Sequence, residues 1–179
     1  MNQEQKPVKP IVNIADVALF DLSHGEAFAA KLGRIAPLIG STGLGCMLTI
    51  VPPGKRAFPF HAHHATHEMF VILAGSGDYR FGKETYAVKA GDVLAAPAGG
   101  ADKAHQLINT GASDLKYLGI STNLGPSPEV VEYPDSNKFY VFSGAADGSP
   151  MAASFRFIGR QPSALDYWDG EGQPANKDS

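Results

Sequence analysis

Between Gly45 and Thr122 the chain is built of short apolar runs, each stopped by glycine or proline. GCMLTIV ends at PPG, HEMFVILA at GSG, DYRF at GK, ETYAV at KAGD, VLAAP at AGG and HQLIN at TG, and LKYLGIST follows. Runs of this length suit strands, and no ten-residue helical pattern separates them. A parallel βαβ sheet is therefore disfavoured, and the spacing predicts a sandwich or closed barrel. The 20 glycines and 13 prolines in 179 residues supply the turns such a fold needs. That length suits one domain with a sizeable core.

The flanks read differently. Residues 1–10 are polar and proline-bearing and are expected to fray. VNIADVALFDL suggests an extended arm, and SHGEAFAAKLGRI, with a Ser before an Ala-rich run, permits a short helix or turn. Residues 1–44 are thus expected to form an N-terminal arm packing on a barrel core at 45–122. Beyond it, EVVEY, KFYVFS and ASFRFIG predict three more strands, and YPDSNK predicts a turn. Residues 123–179 are read as these strands plus a partly exposed C-terminal extension of the same domain. Trp168, in LDYWDGE, is expected to find a packing partner.

Composition excludes several classes of function. The net charge is −3, with both signs interspersed and no Lys/Arg run, so a nucleic-acid partner is not expected. The single cysteine, Cys46, forbids an internal disulfide and reads as a small buried side chain in GCMLTIV. No stretch approaches the roughly 18 apolar residues of a membrane span, and the first residues lack the apolar core of a signal peptide. A cytoplasmic location is the expectation.

FHAHHATHEMF, residues 60–70, holds four of the six histidines and a glutamate. Strand side chains alternate faces, so His61 and His63 project together and His64 points away. Glu68, Phe70 and Ile72 share one face of the next strand. A turn between His63 and Glu68 brings the carboxylate beside the two imidazoles. His105 shares a face with Leu107 and Asn109 in another strand. Three imidazoles and a carboxylate suit a borderline divalent ion such as zinc, iron, manganese, nickel or copper. Four protein ligands leave a coordination position open for water or substrate. His67 reads either as a substitute for Glu68 or as a cap on the turn.

Other motifs carry less. GSGDYRFG opens no helix and makes a poor phosphate cradle. LAGSG lacks the spacing of a nucleophile elbow. Lys55 and Arg56 are read either as steering groups for an anionic substrate or as solvated loop charges. Tyr117 reads as core, whereas Phe58 and Phe60 suit either core or the barrel mouth.

These residues resemble the cupin superfamily of small barrels. Its first motif matches Gly54, His61-Ala-His63, Glu68 and Gly75, with one residue more than usual between Gly54 and His61. Its second matches Gly91, Pro97, Gly99, His105 and Asn109, with five residues rather than two between Gly99 and His105. PPGKRAFPFHAH, PAGG, YPDSNK and DYWDGE are further similar to uncharacterised bacterial single-domain cupins of the conserved-barrel (cupin_2) type. An acidic residue often stands there at the position of His67. The resemblance implies an all-β double-stranded β-helix, or jelly-roll barrel. It implies His61, His63, Glu68 and His105 as metal ligands, and a homodimer. It assigns no catalytic residue. Two readings follow. One is a metal-dependent enzyme of dioxygenase, isomerase or decarboxylase type acting on a small molecule. The other is a non-catalytic module that binds or senses a small ligand on a metal anchor.

Overall fold

The computed structural model describes residues 8–125, 127–144, 153–160 and 164–171. The fraying read over residues 1–10 falls mostly outside that range, as does much of the tail from Gln161.

Every strand read from the sequence is present. They are β3 (Leu44–Val51), β5 (Glu68–Ala74), β6 (Ser76–Phe81), β7 (Glu84–Lys89), β8 (Val93–Ala96), β9 (His105–Ile108), β10 (Leu115–Thr122), β11 (Glu129–Tyr133), β12 (Lys138–Ser143) and β13 (Phe155–Gly159). A short β4 (Ala62–His63) joins them. Glycine makes the tightest junction possible. Gly75, between β5 and β6, has φ +79°, and a Cβ there would collide with the Asp114 carbonyl.

Of the short helix or turn expected of the Ala-rich segment, the turn is present and the helix is not. The segment forms a hairpin, β1 (Phe20–His24) and β2 (Phe28–Arg34), turning at Gly25 with φ +55°. Ala30 and Leu32 are buried while Lys31 is exposed, which is the period of a strand. β2 pairs with β1 on one side and β3 on the other, so tertiary pairing overrides the helix preference of alanine.

Among the described residues the strands pair antiparallel in three sheets, ordered β1-β2-β3-β10-β5-β8, β13-β12-β11-β4 and β7-β6-β9. The architecture is an all-β, double-stranded β-helix barrel. Leu32, Val51, Ile72, Tyr79, Leu107, Leu115 and Tyr117 fill its interior. Val17, Ile35 and Leu48 form a second cluster on the opposite face of β3, packed against Val12, Ile14 and Leu118. Burying side chains of this size stabilises by roughly 1.5–3 kcal/mol each. Residues of the 1–44 segment thus cover apolar surface that the barrel core would otherwise expose. Cys46 is half-buried beside this cluster, and burial pushes its thiol pKa up.

Trp168 departs from the reading of a packed indole. It is 71% exposed, and its ring contact is Tyr167, at 4.8 Å between centroids. YPDSNK does turn, as a 3-10 segment Pro134–Ser136 closed by Asn137 at φ 48°.

Candidate metal centre

Three strands and one bridge bring distant residues together. His61 is bridged to His105, each backbone N–H donating to the other's carbonyl at 3.2 and 2.8 Å. His63 ends β4, which pairs with β11 at Val131. Glu68 opens β5, between Ser121 of β10 and Ala96 of β8. The five residues between Gly99 and His105 fold into a 3-10 turn, Ala101–Lys103, ahead of β9. The longer loop leaves His105 facing inward.

The ligand-capable atoms of His61, Glu68 and His105 lie within 4.8 Å of one another. Glu68 Oε2 is 2.9 Å from His105 Nε2, 3.7 Å from His63 Nε2 and 4.0 Å from His61 Nε2. His63 therefore faces the same oxygen but stands outside the compact trio. The outer nitrogens are turned to acceptors. His61 Nδ1 lies 2.7 Å from the Pro59 carbonyl, His105 Nδ1 3.4 Å from that of Lys103 and His63 Nδ1 3.6 Å from Glu129 Oε2. An imidazole held at Nδ1 offers its Nε2 lone pair inward, as metal-ligating histidines do.

Electrostatics agrees with that donor set. Burial, reinforced by the neighbouring His105 and His63, holds His61 down to about 4, so its ring is neutral at pH 7. Burial alone would raise Glu68, but the His105 hydrogen bond and the rings of His63 and His61 override it, to about 2. A neutral ring and an ionised carboxylate are the forms that bind a cation. Phe70 and Tyr79 lie against His105, with ring centroids at 5.5 and 6.5 Å. Inward donors and apolar flanks fit a divalent ion.

Beside the cluster lies a cavity of about 410 Å³. Met47, Phe58, Phe70, Tyr117 and Phe142 give it apolar walls, and Thr49, Ser121 and Asn123 polar ones. Tyr117 is at once core and cavity wall, and Phe58 lines the cavity. Phe60 packs instead with Ala62 and Ala104.

The remaining candidates lie elsewhere. His64 points outward, 2.7 Å from Glu132 Oε1. His67 is exposed and serves the turn. Its Nδ1 accepts from Ala98 N at 3.4 Å, and its backbone N–H donates to Thr122 Oγ1. Lys55 is tied to the Glu26 carbonyl, and Arg56 lies over the Phe28 ring at 5.5 Å. Neither lines the cavity, whereas Arg34 does. Asn109 is fully buried and hydrogen-bonded to backbone, which makes it a clasp.

Two residues were missed from the sequence. Glu129 is 1% exposed beside His63, and Tyr133 stacks over His61 at 6.2 Å. Both belong to EVVEY, where period-2 alternation puts Glu129, Val131 and Tyr133 on one face. An acid in line with two apolar residues was the available signal.

Comparison places this geometry among known proteins. Residues 47–121 match the cupin domain family. A structure from Acidithiobacillus ferrooxidans named "putative sugar phosphate isomerase" superimposes with TM-score 0.74 at 21% identity, covering 88% of this chain and 96% of that one. A sugar phosphate isomerase from a cupin superfamily, from Silicibacter pomeroyi, gives 0.70 at 18% identity, over 89% and 98%. A "predicted oxalate decarboxylase" of Thermotoga maritima gives 0.53 at 22% identity, over 63% and 97%. No curated protein matches the sequence. Residues 47–121 therefore carry a cupin domain, and the likeness over nearly the whole of two solved chains shows a shared fold that extends beyond it.

Proposed function

We propose that the chain is a metal-dependent cupin enzyme, of isomerase, decarboxylase or dioxygenase type. It holds a divalent ion through His61, His63, Glu68 and His105 and acts on a small oxygen-bearing molecule in the adjoining cavity. The observation that carries this reading is the cluster of inward Nε2 atoms around Glu68, opening onto a cavity of about 410 Å³. A divalent ion bound there supplies Lewis acidity to a substrate oxygen. The protein's own part is to hold the three rings in place, keep Glu68 ionised and exclude water with Phe70 and Tyr117. The expected result is turnover by metal-loaded protein that is lost in H61A/H63A. Oxygen uptake, CO₂ release or a product of unchanged mass would distinguish the three types.

One observation favours the alternative, a ligand-binding module with a metal anchor. Among the described residues lining the cavity, Glu68 is the only carboxylate and no lysine is present, so no carboxylate or amine base stands apart from the proposed ligands. A compound that raises Tm in the metal-loaded protein and is recovered unchanged supports that reading against the enzyme.

A further inference from the structure

The matched cupin domain ends at residue 121, yet β11, beyond it, forms the outer wall of the metal cluster. Glu129 is the most deeply placed of its residues, with a carboxylate 1% exposed. Its Oε1 accepts from Ala65 N at 3.0 Å and Val130 N at 2.9 Å, and its Oε2 from Thr66 N at 2.8 Å. Two of those donors belong to the loop that carries the chain from His63 to Glu68. An ionised carboxylate offers about four acceptor positions, so three are used and one remains.

The remaining position faces His63. Among the described residues the buried His63 Nδ1 atom has no hydrogen-bond partner, and Glu129 Oε2 lies 3.6 Å from it. A shift of about half an ångström would make an ordinary hydrogen bond. Carboxylate oxygens face both ring nitrogens, but Glu68 Oε2 is already engaged by His105 Nε2 at 2.9 Å whereas Glu129 keeps an acceptor position free, so the single proton of the neutral ring belongs on Nδ1. Nε2 is then left bare and faces Glu68 Oε2 at 3.7 Å. His61 and His105 have backbone carbonyls at Nδ1, whereas His63 has only this side chain.

We propose that Glu129 is the positioning residue of the centre. It clasps the loop between His63 and Glu68 and fixes His63 as the Nδ1–H tautomer, presenting Nε2 as the fourth ligand. This rests on the metal reading above. In Glu129→Gln the amide has the same size but can offer an N–H to Nδ1, which moves the ring proton to Nε2 and blocks the ligating nitrogen.

The test uses the full chain, metal-free, at pH 8. Nitrogen-15 NMR of the histidine rings should show His63 protonated at Nδ1 in the wild type and at Nε2 in E129Q. Zinc affinity by competition with a chelating dye should fall 10–100-fold in E129Q. In the H63A background the further loss caused by E129Q should be much smaller, since only the loop clasp is then affected. An Nε2–H tautomer for wild-type His63 overturns the proposal, as does full zinc affinity in E129Q. So does an undiminished E129Q effect without His63. The wild-type tautomer needs no variant to fold. It also decides the matter if the wild type fails to bind zinc, a result that would count against the metal reading alone.

Discussion

Asn109 stands at the end of the second cupin motif, four residues after a proposed ligand, and replacing it with alanine separates support from ligation. Its Nδ2 donates to the carbonyls of Val51 at 2.7 Å and Ser113 at 2.8 Å, and its Oδ1 accepts from Gly111 N at 2.9 Å. These bonds tie the end of β3 to the turn between β9 and β10. Asn109→Ala removes all three from a side chain that is 0% exposed. At about 1 kcal/mol for each lost bond, the cost is about 3 kcal/mol. In a domain of this size that lowers Tm by about 6–12 °C. The assay is urea and thermal unfolding of metal-free protein followed by circular dichroism, so bound metal does not shift the equilibrium. Below the transition, metal per chain should equal the wild-type value. A loss under about 0.5 kcal/mol, or lost metal with unchanged stability, would refute the assignment of Asn109 as a clasp.

Two further predictions concern pH and the outer contacts. His61 is held down to about 4 and Glu68 and Glu129 to about 2, so the unfolded chain binds more protons than the folded one below pH 6.5. The stability of metal-free protein should therefore fall from pH 6.5 towards 4 through His61, and from about 4.5 towards 2 through the two carboxylates. His63 acts oppositely. Burial lowers it, but Glu129 and Glu68 raise it overall, so its contribution is full below 6.5 and is lost as pH rises through the raised value. That proton must leave before a metal binds, so zinc affinity should climb between pH 6 and 7.5, and a flat titration there contradicts histidine ligation. Arg80 lies 4.0 Å from the Phe60 ring, donates to Gln106 Oε1 and forks onto Asp135. Asp135 is 53% exposed, so Asp135→Asn should cost under about 1 kcal/mol. Arg80→Ala should cost more, about 1–2 kcal/mol, by also losing the ring and the amide. Equal urea midpoints for the two variants would contradict this.

What the sequence disclosed follows from which forces are local. Glycine and proline end strands wherever they stand, so the ten runs from GCMLTIV to ASFRFIG were legible. Parity placed His61 with His63 and turned His64 outward, because alternation is a property of the strand itself. The hairpin at Phe20–Arg34 was not legible, since its strand state depends on β3, and alanine-rich AFAAKLG carries no strand preference of its own. Glu129 escaped for a similar reason. Its burial depends on β11 closing over the loop after His63, a pairing that spans much of the chain. Trp168 misled because an aromatic residue signals burial only on average.

The most direct test of the account is elemental analysis of protein loaded with zinc and then dialysed. The wild type should hold one ion per chain and H61A/H63A none. One ion per chain retained by the folded double variant would contradict the proposed centre.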